Sequence, residues 1–140
     1  MRTKLILMLS LSLLIASYAF AGSKSQDKLK RKWMLVEFQD FSKEEMMKLG
    51  AFIDFTQIEK GGHASMGCNV INFKVKTKMC SGIRFGEAMS TMMFCDEAMK
   101  LEDAFKNFLS KVKKYKVKGH YLTLSAGKNG KMLLVAEDWD

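Results

Sequence analysis

Cys68, Cys80 and Cys95, with His63 and His120, are the residues of this 140-residue chain whose types could make and break covalent bonds. A cysteine nucleophile needs an accessible, electropositive setting and a base within reach. Nothing in the spacing brings His63 or His120 to Cys68. No third residue stands out to orient either imidazole, so no triad is visible. Methionine offers a second chemistry. The chain has twelve, and Met66, Met79, Met89, Met92 and Met93 fall near the cysteines and His63. Thioether and thiolate ligands suit Cu(I). The usual Met-rich ligand spacing is missing, however, and Met92 and Met93 would face opposite sides of a strand. Methionine is also a common filler of irregular cores. The expectation is no metal, no cofactor and no enzymatic activity.

Glu102 is the carboxylate in the most unusual position. At 100° per residue it falls at the edge of an apolar stripe formed by Ala98, Phe105 and Leu109. A carboxylate there is costly unless hydrogen-bonded or paired. No second carboxylate is placed to form an acid/base couple with it. A structural role follows, tying the helix to a loop near Thr91 or to a basic partner.

The elements that would hold these residues can be read from periodicity. Trp33–Phe38 is apolar and strand-like. Ser42 and Glu45 form a possible capping box for a short helix carrying Met46, Met47 and Leu49, which Gly50 would end. Ala51–Ile58 reads as a strand, Lys60-Gly61-Gly62 as a turn, Ile71–Lys76 as a cleanly alternating strand and Gly82–Phe85 as another. One longer helix is expected over 97–112 with Asp96 as N-cap. Its stripe is Ala98, Leu101, Ala104, Phe105, Phe108, Leu109 and Val112. Lys111, Lys113 and Lys114 would sit at its C-terminal end, and Glu102 and Lys106 could pair at i,i+4. Alternation then resumes through Tyr121–Leu124 and Lys131–Ala136, joined through Asn129-Gly130, a strong hairpin signal. Trp33 and the phenylalanines Phe38, Phe52, Phe55, Phe73, Phe85, Phe94, Phe105 and Phe108 read mostly as core. Trp139 falls outside it, and residues 137–140 read as a loose acidic tail. The order of elements gives α+β: a mainly antiparallel sheet with one principal helix over one face.

The beginning of the chain reads as an export signal. Arg2 and Lys4 precede an apolar run from Leu5 to Ala16, and Ala19-Phe20-Ala21 is a small-x-small cleavage site. Residues 1–21 are therefore expected to be a cleaved signal peptide and 22–30 a flexible lead-in. One domain follows over 31–140. The run is short for a membrane span, so no transmembrane segment is expected after cleavage. The chain has 23 basic and 15 acidic residues. A basic surface attracts polyanions, but for an exported protein nucleic acid is not the expected partner. Export also makes a disulfide possible, and an odd number of cysteines leaves at least one thiol free or paired between chains.

Three segments carry a resemblance. They are His63-Ala64-Ser65-Met66-Gly67-Cys68-Asn69, then Ser90-Thr91-Met92-Met93-Phe94-Cys95 with Leu101-Glu102 inside the following helix, then Tyr121-Leu122-Thr123-Leu124 with the closing strand. In this order and spacing they resemble the META domain, the family of the heat-shock protein HslJ, from about Trp33 to about Glu137. The resemblance implies a strongly curved antiparallel sheet with a helix packed on it, and no enzymatic activity to transfer. It places cysteines at Cys68 and Cys95, which are expected to be neighbours able to form a disulfide, and makes Cys80 the spare thiol. It also marks Gly67, Asn69, Thr91 and Glu102 as structural motif positions. Members are often lipid-anchored. This chain lacks a cysteine at the cleavage site, so a soluble, periplasmic protein is expected.

Three functions stay open from the sequence. The first is a binding or interaction module linked to envelope stress or secretion, with an envelope protein as partner. The second is a carrier of lipid or another hydrophobic ligand in a cleft between sheet and helix. The third is a thiol enzyme based on Cys68. A closed apolar cavity would favour the carrier, and an exposed apolar patch on a filled core would favour interaction.

Overall fold

The computed structural model describes residues 26–139. The expected signal peptide and its cleavage site lie outside the described residues. The described chain contains ten strands: β1 (Lys32–Phe38), β2 (Phe52–Asp54), β3 (Gly62–Ser65), β4 (Val70–Phe73), β5 (Val75–Lys78), β6 (Gly82–Phe85), β7 (Met89–Ser90), β8 (Lys114–Lys118), β9 (Tyr121–Ser125) and β10 (Lys131–Ala136). The helices are α1 (Lys43–Lys48) and α2 (Asp96–Leu109). All strands join one antiparallel sheet in the order β5-β6-β8-β9-β10-β1-β2-β3-β4-β7.

The two ends of that order belong to one long hairpin. Val75 pairs with Phe85 and Lys78 with Gly82 at one end, while Ile71 pairs with Ser90 and Asn72 with Met89 at the other. The sheet therefore curls until both edges meet the same hairpin, as the resemblance implies. The alternation read as one strand over 71–76 is divided at Lys74. Its carbonyl accepts the Gly86 N–H at 2.8 Å, and the chain passes there from one sheet edge to the other. Side-chain alternation does not reveal such a change of backbone partner, because the in/out pattern of β4 continues across the break.

The concave face is filled by Trp33, Leu35 and Phe38 from β1, by Leu122, Leu124, Met132 and Leu134 from β9 and β10, and by the apolar side of α2. Leu101, Phe105, Phe108 and Leu109 of α2 are buried, with Phe108 edge-on to Phe38 at 5.1 Å between centroids. At about 25 cal/mol per Å² of apolar surface removed from water, this layer is the main stabilising term.

Several boundaries differ from the sequence expectation. Leu29 of the expected lead-in is fully buried, and its carbonyl accepts the Trp33 indole N–H at 3.0 Å. The lead-in is thus part of the core from Leu29 onward. The strand expected over 51–58 stops at Asp54, because its carboxylate accepts the N–H and hydroxyl of Thr56 and bends the chain into a turn. Gly62 already belongs to β3 rather than to the preceding turn. Helix α2 is capped by Cys95, not Asp96, and ends at Leu109, not 112. The Lys113 N–H donates to Ser125 and that of Tyr115 to Ser81, so strand pairing takes the backbone that the helical pattern would have continued. The tail is held: Glu137 pairs with Lys32 and Asp138 with Arg31. Ser42 caps α1 through the Glu45 N–H, and Gly50 takes the left-handed conformation that ends it.

Candidate functional site

Asn69 is the centre of a buried polar cluster that joins a turn, an extended loop and α2. It lies just before β4, and the turn leading to it requires Gly67 at φ +106°, where a Cβ would press on the Leu49 side chain at 2.8 Å. The Asn69 side-chain amide N–H2 donates to the Met93 carbonyl at 3.0 Å and to both Glu102 oxygens at 3.1 and 3.3 Å. Its Oδ1 accepts the Thr91 hydroxyl and the Met93 N–H, each at 2.8 Å. Its backbone N–H donates to Glu102 at 3.3 Å. The donor and acceptor capacity of the amide is thus used.

Glu102 faces inward from α2 at 1% exposure, although a charged group is expensive there. The Asn69 donors and the Lys106 ammonium at 3.2 Å offset that cost. Burial pulls the Lys106 pKa down, but its hydrogen bonds to Glu102 and Asp103 outweigh this and hold it above the usual lysine range. The i,i+4 pair read from the sequence is therefore part of a larger cluster. Thr91 also accepts the Val70 N–H through its hydroxyl oxygen.

Cys68 and Cys95 form a disulfide with a Cα separation of 6.0 Å. It ties the turn beside Asn69 to the start of α2. Cys80 is a free, exposed thiol at the β5–β6 turn. The structure thus brings Gly67, Cys68, Asn69, Thr91, Cys95 and Glu102 together, and leaves Cys80 apart from them.

The segment this cluster holds departs from the sequence expectation. Phe94, expected in the core, is 79% exposed, and Met92, expected in a strand, is 99% exposed. Met93 is also largely exposed, and residues 91–95 belong to no strand or helix. The reason is local. Asn69 holds the Met93 backbone on both its N–H and C=O, so the side chains on either side are turned outward. Three consecutive apolar residues ending in a cysteine fit neither a strand nor a helix period, and that misfit was the available signal.

The histidines stand elsewhere. His63 Nε2 lies 3.6 Å from Asp54, whose carboxyl burial would raise but hydrogen bonds from Thr56 lower more strongly. They share the rim of an open cleft of about 630 Å³ with Lys60, Asn72, Lys74 and Glu87. Most of the residues around it carry polar or charged side chains, with Phe73 and Met89 among them. His120 stacks on Trp139 at 4.8 Å. Trp139, 44% exposed, lies outside the core as expected. Among the described residues, no helix is long and apolar enough to cross a membrane and no cluster of three or more His, Cys, Asp or Glu could hold a metal ion.

Two solved structures share this fold. One, titled an NMR structure of a protein, aligns with a TM-score of 0.62 at 16% identity, over 79% of this chain and 92% of that one. The other, an NMR structure of a protein from Burkholderia xenovorans, aligns with a TM-score of 0.58 at 17% identity, over 81% and 86%. At such identities the likeness is one of fold alone. The comparison with curated proteins gives no match. The META domain family profile matches residues 27–139, nearly all of the described chain. The profile covers the curled antiparallel sheet, helix α2 and the Cys68–Cys95 bridge alike, and the chain belongs to the META domain family.

Proposed function

We propose that this protein is an exported, non-catalytic interaction module of the META family that docks a protein partner through the loop Met92–Phe94. The observation that carries this reading is an apolar tip held rigid. Met92, Met93 and Phe94 point outward, while the backbone beneath them is fixed by Asn69 and Thr91 and the loop is anchored by the Cys68–Cys95 bridge. A surface that binds without first having to order itself loses less entropy on association. Aromatic and methionine side chains are also enriched where partners meet. The filled concave face supports interaction over a carrier role.

Absence of catalysis is supported by the fate of the candidate groups. Cys68 is bonded to Cys95, His63 faces Asp54 and His120 packs on Trp139. An envelope location, and a link to stress or secretion, belong to the same proposal. They rest on the expected signal peptide and on a disulfide suited to an oxidising compartment.

The test is capture from a native envelope extract by wild-type protein and by the double variant Met92→Ser, Phe94→Ser. These residues contribute little to the core, so the variant should melt within a few degrees of wild type. The expected result is a partner bound in defined stoichiometry by wild type and at least tenfold more weakly by the variant. Equal binding by both proteins would exclude the loop as the docking element.

A further inference from the structure

We propose a second binding surface, independent of the Met92–Phe94 loop: the convex face of β5, β6 and β8–β10 engages an anionic phospholipid surface. The starting point is charge segregation along the chain. Residues 60–86 contain five Lys or Arg and no acid, and residues 104–136 contain eight Lys and no acid. All fifteen carboxylates fall outside these two segments. The sheet topology then sets the two segments side by side, since β5 and β6 come from the first and β8, β9 and β10 from the second.

Strand alternation turns the charges to one side. In β8, Tyr115 is buried and Lys114, Lys116 and Lys118 are exposed. In β6, Ile83 is buried and Arg84 points out, directly paired with the exposed Lys76 of β5. Lys131 of β10 continues the row through Ser125, which pairs with both Lys114 and Lys131. No ion pair among the described residues uses any of these cations. The pairs that exist engage Lys30, Arg31, Lys32, Lys48, His63 and Lys106 instead. Carboxylates border this face at Glu37, which pairs with Leu133 across β10, and at Glu137, which follows β10 and is ion-paired with Lys32.

What favours a bilayer over another polyanion is the apolar strip beside the cations on the same face. Lys118 pairs with Tyr121, Tyr121 with Val135, and Val135 with Met34. These last three line a shallow cleft of about 410 Å³ with Val36, Met47 and Trp139. Tyr and Trp with one apolar side and one polar end suit the headgroup region. Aliphatic neighbours have nothing to read in a nucleic acid, but they can enter the boundary between headgroups and acyl chains. Lysines near an anionic leaflet add attraction that falls off within a Debye length.

Vesicle cosedimentation tests the proposal, using phosphatidylcholine vesicles with and without phosphatidylglycerol. Binding is expected only with phosphatidylglycerol, weakening as salt rises. Trp139 supplies a second readout, because the other tryptophan, Trp33, is already fully buried. Its emission should shift to the blue on binding. The triple variant Lys114→Gln, Lys116→Gln, Lys118→Gln should bind at least tenfold more weakly. The control Lys28→Gln, Lys60→Gln, Lys100→Gln should keep most of the affinity, and both should melt near wild type. Phe94→Ser should leave vesicle binding intact, which separates this surface from the protein-docking loop. Equal binding to both vesicle types, or equal loss in the two lysine variants, would overturn it. So would capture by a DNA duplex or polyglutamate with the vesicles ignored.

Discussion

Asn69 shows how one uncharged side chain can govern a charged one. Its amide and backbone N–H reach Glu102 from outside the helix, and its Oδ1 holds the loop at Met93. Asn69→Ala should cost about 2–4 kcal/mol, because it strips side-chain donors from a buried carboxylate and frees the loop together. Urea denaturation followed by circular dichroism checks this. Asn69→Ala combined with Glu102→Leu should recover part of the loss, since no unpartnered charge then remains inside. A loss below about 0.5 kcal/mol in the single variant would mean that water replaces the amide. The inward position of Glu102 was legible from helical periodicity. The role of Asn69 was not, because its contacts span 22 to 33 residues and no local pattern encodes them. Leu29 was hidden for a different reason: one apolar residue in a polar stretch gives no period at all.

At the scale of elements, the bridge between Cys68 and Cys95 does two things. It closes a loop between residues 27 apart in sequence, and it fixes where α2 begins. The loop contains the whole hairpin that completes the curled sheet, so the bridge restricts the unfolded chain over the region with the most demanding strand geometry. Replacing both cysteines by serine, in a Cys80→Ser background that prevents exchange, should lower stability by about 3–4 kcal/mol. The amides of residues 91–95 should then exchange faster than those of β9 and β10. Uniformly increased exchange would show that the bridge supports the whole fold rather than the loop. Element types were largely readable: Ser42 and Gly50 bound α1, and the 3.6 period marked α2. Boundaries were set by partners instead. Helix α2 yields to β8 at Lys113, and β4 yields to β5 at Lys74, because inter-strand hydrogen bonds claim those backbones.

For the molecule as a whole, the sheet order carries one further consequence. The first strand finds its partners in the second and the last of the described strands, and Trp33 pairs with Ala136 across nearly the entire described chain. Pairings this distant form slowly, because a long loop must close before they contribute. During synthesis β1 emerges early and β10 last, so for most of that time the middle of the sheet lacks a strand. A chain that stops at Gly130 should accordingly give the circular dichroism and amide exchange of an unfolded polypeptide. A native-like spectrum from that fragment would show that β10 is dispensable. If the expectation holds, the pairing of the first and last strands works as a timer. The polypeptide stays threadable until β10 is made, and under the export proposed above a translocation channel that accepts only unfolded chains would have that interval in which to take it.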